Sequence, residues 1–88
     1  MNRKTITIES NTMKKGKLDQ QSFTCQLFES GDKRVYVLDR TKRDLVRYHF
    51  TLTPGCRILD DGVTHVIKDI WYPPAPKYPH LIVIPEAV

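Results

Sequence analysis

The sequence predicts an all-β domain, a small β-barrel or sandwich of six to seven short, mostly antiparallel strands. Three observations predict it. Apolar residues recur at every second position in short runs, the period of a strand with one buried face. Turn-forming pairs and prolines separate these runs at close spacing. The one charged stretch that could begin a helix, "RTKRD" at 40–44, is too short to stand alone. A chain of 88 residues holds one domain, near the lower size limit for a self-sufficient core. Partner subunits are then a natural source of added stability.

Each element follows from its residues. "TITIE", 5–9, sets Ile6 and Ile8 against Thr5 and Thr7, a strand with one buried face. "SNTMKKGKLDQQ", 10–21, is polar and loses the period, so it reads as a mobile loop with a basic tip at Lys14, Lys15 and Lys17. "SFTCQLF", 22–28, alternates again, with Phe23, Cys25 and Leu27 on one face. After the turn "ESGD", the strand "KRVYVLD", 33–39, places Val35 and Val37 opposite Tyr36 and Leu38. "LVRYHFTL", 45–52, gives the clearest alternation, with Val46, Tyr48, Phe50 and Leu52 inward and Arg47 and His49 outward. Pro54 and Gly55 stop it.

"CRILD" and "VTHVI" then flank Asp61-Gly62, a pair suited to a type I′ hairpin turn. Asp60 and Asp61 are both expected in that turn. Strict alternation after Ile67 would expel Ile70, so a bulge at Lys68-Asp69 is expected to bend the strand and return Ile70 to the core. "YPPAPKYP", 72–79, is a stiff, proline-rich loop of extended geometry. "HLIVI", 80–84, is a closing strand, apolar at four consecutive positions, and "PEAV" is a tail.

Charge is uneven along the chain. The formal net charge is +4. Residues 1–47 carry eleven Lys or Arg against six Asp or Glu, and the remainder is slightly acidic. The basic half admits nucleic acid or an acidic protein surface as a partner. Cys25 and Cys56 have no metal-ligand neighbour at a familiar spacing, and neither do His49, His65 and His80, so reduced, buried cysteines and no metal or other cofactor are expected. No nucleophile is paired with a base in a known motif, so no enzyme is expected. No signal peptide and no apolar span is visible, which places the chain in the cytoplasm.

From Tyr48 onward the chain resembles the head–tail joining proteins of tailed bacteriophages, the head-closure or stopper family. Arg57, Ile58, Gly62, Ile67, Ile70 and "HLIVI" carry the resemblance, with "TITIES" at the start and His65 in place of the family's aromatic. The resemblance implies a structural virion protein without an active site, assembled in the host cytoplasm. Its copies would form a homo-oligomeric ring that joins the capsid portal to the tail. Lys14, Lys15, Lys17, Arg40, Lys42, Arg43 and Arg47 would then meet the portal, a neighbouring ring or DNA passing through. Trp71, Tyr72 and Tyr78, around the prolines, would form a docking loop.

Two other readings stand beside it. A basic β-barrel with Lys33, Arg34, Arg40, Lys42, Arg43 and Arg47 near Tyr36 and Tyr48 suits single-stranded nucleic acid. A small inhibitor protein that masks a partner enzyme would need no motif at all.

Overall fold

The computed structural model describes residues 3–74 and 78–83. The middle of the proline stretch, 75–77, and the end of the chain from Ile84, with "PEAV", lie outside the described residues. Strands β1 (Arg3–Lys14), β2 (Lys17–Ser30) and β3 (Lys33–Leu38) come first, then helix α1 (Lys42–Arg47). Strands β4 (Arg57–Asp60), β5 (Val63–Val66), β6 (Asp69–Trp71) and β7 (His80–Val83) follow. All pair antiparallel in one sheet of order β5-β4-β1-β2-β3-β7-β6.

The two ends of that order, β5 and β6, are joined by only Ile67 and Lys68. The sheet therefore curls until both edges meet in one bent run of chain. Ile67 N–H donates to Cys56 C=O at 2.9 Å on one side, and Lys68 N–H donates to Ile82 C=O at 2.8 Å on the other. The bend returns Ile70 to the core as expected, but by a change of partner strand, from β4 to β7, rather than a bulge in one ladder: Ile67 is buried, Lys68 and Asp69 are exposed, and Ile70 packs against the core. The Asp61-Gly62 turn is also as expected, with positive φ of 49° and 82°.

Alternation fills the inside of the curl. Ile6, Ile8, Phe23, Cys25, Tyr36, Leu38, Ile58, Leu81 and Val83 are buried, each two residues from another on its strand or facing it across the sheet. In β7 only Leu81 and Val83 are fully buried, so the apolar run "HLIV" follows the strand period rather than hiding both faces.

Three further expectations are corrected. Residues 10–21 are not a loop. They are the outer part of the β1–β2 hairpin, turned at Lys15 (φ 52°) and Gly16 (φ 79°). Between Glu9 and Met13 the register shifts: Ser10, Asn11 and Thr12 oppose Asp19 alone, and Ser10 turns inward, 1% exposed. Both faces of this arm meet water over most of its length, so no apolar period marks it.

Residues 45–52 are not a strand. Thr41 accepts from Asp44 N–H at 3.2 Å, and the Asp44 carboxylate accepts from Thr41 N–H at 3.1 Å, a reciprocal capping box that starts α1. The helix ends with Phe50 N–H donating to Leu45 C=O and His49 N–H to Val46 C=O, both at 3.0 Å. His49, at φ 56°, takes the left-handed position that glycine usually fills. Leu45 and Phe50 are buried, while Val46 is 67% and Tyr48 52% exposed. Thr41→Ala is expected to lower stability by about 1 kcal/mol, read from urea unfolding.

The third correction concerns Asp60. It is the last residue of β4, 4% exposed, and only Asp61 belongs to the turn.

Candidate functional site

The β1–β2 arm outruns its neighbours. Pairing of β4 with β1 spans Thr7 to Glu9, and pairing of β3 with β2 begins at Cys25, with Asp39 N–H donating to Thr24 C=O just before it. From Lys17 to Ser22, β2 has no strand on its outer side among the described residues. The arm is braced on its other side by the segment after α1. Ser10 Oγ donates to Thr51 C=O at 3.0 Å, Lys14 Nζ to His49 C=O at 2.6 Å, and Thr53 Oγ1 to Asn11 Oδ1 at 3.4 Å. Lys14 also pairs with Asp19 at 3.2 Å. Of the three lysines expected at a basic tip, Lys14 is thus engaged within the molecule, and Lys15 and Lys17 are exposed.

The second basic group sits at α1. Leu45 anchors the helix, which leaves Lys42, Arg43, Val46 and Arg47 exposed on its outer arc. The Arg40 guanidinium lies over two rings, Phe23 at 5.7 Å and Tyr48 at 5.0 Å, and Lys42 Nζ lies 5.2 Å from the Tyr72 ring centre. Beside Arg40 is an open depression of about 380 Å³, lined by Thr5, Ser22, Phe23, Thr24, Asp39 and Arg40. The Lys14–His49 contact brings the base of the hairpin tip to the end of this helix. Lys33 and Arg34 do not join the patch in the same way. Lys33 is exposed at the start of β3, and Arg34 turns inward.

Arg34 turns toward a buried ion network that the reading of the sequence missed. Asp60 Oδ1 lies 2.6 Å from Lys4 Nζ. Asp60 Oδ2 accepts from the Tyr36 hydroxyl at 2.7 Å and from Arg34 Nη2 at 3.4 Å. Arg34 Nε donates to the Tyr36 hydroxyl at 3.2 Å, and the guanidinium reaches Glu29 at 3.6 Å. Burial alone would raise the Asp60 carboxyl. The hydrogen bonds from Lys4 and Tyr36, with the charges of Lys4 and Arg34, outweigh it and hold the group below its ordinary 3.8. Burial first, then the bond to Asp60, pushes the Tyr36 hydroxyl up. Burial, with the Arg34 charge behind it, lowers nearby His65. Buried Asp60 is matched by Lys4, Arg34 and Tyr36, so the network reads as an internal tie between β1, β3 and β4.

The aromatic residues around the prolines occupy different settings. Trp71 is 54% exposed, its ring edge-on to His80 at 4.9 Å. Tyr72 is half-buried beneath Lys42. Tyr78 lines a depression with Arg3, Gln26, Val37, Leu38 and Asp39, next to Pro79, whose carbonyl accepts from Leu38 N–H at 3.1 Å. Cys25 and Cys56 are buried free thiols, and burial pushes Cys25 up to about 11. Among the described residues no three His, Cys, Asp or Glu side chains gather to hold a metal ion, and no helix is long and apolar enough to cross a membrane.

No family model, curated protein or solved structure matches this chain.

Proposed function

We propose that this protein is a structural assembly protein of the tailed-phage head–tail joining kind. It acts by docking rather than by chemistry: copies associate side by side into a ring, and the ring joins the capsid portal to the tail within the virion. One observation carries the reading. β5 and β6 end the sheet, each paired on one side and linked through Ile67 and Lys68, and within the sheet β2 keeps a bare edge from Lys17 to Ser22 among the described residues. Unpaired N–H and C=O groups on such an edge are a template for a strand from another chain. The resemblance over "RILDDGVTHVIKDI" and "HLIVI" supplies the setting.

Charged side chains on an edge block strand addition. Gln20 and Ser22 are exposed, and Gln20 Nε2 donates to Glu9 at 2.7 Å, a contact that lysine can replace with an ion pair. Sedimentation velocity is expected to show oligomers of the wild type, and electron microscopy closed rings. The Gln20→Lys, Ser22→Lys variant is expected at the 10.2 kDa of the single chain, with an unchanged circular-dichroism spectrum. A wild type that stays monomeric at every concentration overturns the proposal. So does a variant that assembles like the wild type.

A further inference from the structure

We propose that the outer face of α1, together with Arg40, Tyr48 and Tyr72, is a binding site for single-stranded nucleic acid. This site meets the β2 edge only at Ser22, in the depression beside Arg40, and a chain that never assembles would still carry it.

The first argument is an imbalance of charge. Several cations are matched: Arg3 pairs with Asp39, Lys4 and Arg34 with Asp60, Lys14 with Asp19, and Arg57 with Glu9. Lys15 and Lys17 at the hairpin tip, Lys33 and Lys68 have no carboxylate at ion-pair distance among the described residues, but around α1 four such cations gather. Arg40, Lys42, Arg43 and Arg47 have no carboxylate at ion-pair distance among the described residues. The two acids nearest them in sequence bond to other groups, although the charges of Arg47 and Arg40 still act on Asp44. Asp39 is held by Arg3, and Asp44 is turned back onto Thr41 by the capping box. Lys42, Arg43 and Arg47 are thus exposed on one short helix, with half-buried Arg40 at its entry. Such a surface attracts a polyanion and releases counterions when it binds one.

The second argument selects the polyanion. An acidic peptide would use the charges alone. Here the charges alternate with rings: Arg40 lies over Tyr48, and Lys42 over Tyr72. Tyr48 is half exposed although it follows a buried anchor and precedes another, Phe50. Cations for phosphates set beside the exposed Tyr48 ring and the half-buried Tyr72 ring suit an unpaired strand, because its bases are free to stack. A duplex hides those faces. The depression beside Arg40 and Phe23 gives the strand a concave start. The helix is only six residues long, so the site covers about four nucleotides, the short end of the range for small β domains.

The test is fluorescence anisotropy of a labelled oligothymidylate with the whole chain. Four phosphate contacts on a single strand predict about 50-fold weaker binding on going from about 50 mM to about 200 mM salt. Arg43→Ala with Arg47→Ala, two exposed positions that leave Leu45 and the cap intact, is expected to lower the salt slope by about 1.4. Tyr48→Ala is expected to weaken binding roughly tenfold, and Tyr48→Phe, which keeps the ring, to restore it. Lys15→Ala with Lys17→Ala at the hairpin tip should leave affinity within about twofold, since those lysines lie outside the site. Circular dichroism of each variant confirms that it is folded. The proposal is overturned if the oligonucleotide does not bind, if the tip variant loses as much as the helix variant, if a duplex of equal length binds tighter, or if only a polyglutamate peptide binds.

Discussion

Asp60→Asn is expected to destabilise the fold by about 3 kcal/mol, because it removes the buried anion between two partly buried cations and leaves them only exposed partners, Asp61 for Lys4 at 3.4 Å and Glu29 for Arg34 at 3.6 Å. The substitution keeps the shape of the side chain and removes only its charge. Lys4 and Arg34 then converge on a neutral amide. Their side chains are 26% and 23% exposed, so each keeps some water, and this sets the loss at the lower end of the range for breaking a buried pair. For a domain of this size each kcal/mol moves Tm by roughly 4–8 °C, so a fall of roughly 12–24 °C is expected. The effect has a pH signature. The folded-state carboxyl lies below its ordinary 3.8. Its stabilisation is therefore present above that value and is lost as pH falls through the lower, folded one. Urea unfolding from neutral pH downward should show a gap between wild type and variant that closes in acid below about pH 4. Equal stability at pH 7, or a gap that ignores pH, would show that the carboxylate is not tied as the geometry has it.

Phe50→Ala is expected to cost about 3–4 kcal/mol, whereas Val46→Ala and Tyr48→Ala stay near zero. Phe50 is 5% exposed and meets Phe23 edge-on, with ring centres 5.3 Å apart and planes at 61°. Removing it opens a cavity beneath the chain as it leaves α1, and takes away an aromatic pair as well as buried area. Val46 and Tyr48 point to water. The contrast matters more than any single value. A strand over 45–52 would bury all three side chains and make all three substitutions costly. A helix ended by His49 makes only one costly. Denaturant unfolding of the three single variants decides between these arrangements.

Where the sequence was legible, a local period met an apolar core. Ile6 and Ile8, Phe23 and Cys25, and Tyr36 and Leu38 alternate with polar or half-buried neighbours, and each pair lies inside. The hairpin at Asp61-Gly62 and the bend at Lys68-Asp69 followed from turn chemistry and from the need to return Ile70 to the core. The same period held a warning at Asp60. Cys56, Ile58 and Asp60 share one face, and two of the three are plainly apolar. The preference of Asp for the position before a turn competed with that signal. What tips the balance is not local, since Lys4 and Arg34 come from β1 and β3.

The helix was masked for a related reason. Val46, Tyr48, Phe50 and Leu52 fit a period of two, but Thr41 and Asp44 form a capping box, which marks a helix start. No glycine marks its end, because His49 adopts the left-handed conformation itself. The arm at 10–21 left no period to read, since most of its side chains meet water, although Gly16 sits where a hairpin turn needs it. The basic residues of the candidate surface were visible as residue types. Which of them are matched by acids was not, because Arg3–Asp39 and Lys14–Asp19 are contacts of the folded sheet.

Amide hydrogen exchange across β2, compared between dilute and concentrated protein, tests the central claim of edge docking most directly. In the single chain the outward N–H groups between Lys17 and Ser22 have no strand beside them and should exchange quickly. Assembly through this edge predicts that they gain protection as concentration rises, while the interior of β3, already paired on both sides, changes little. Protection that appears only around Trp71, or nowhere, would contradict docking through β2.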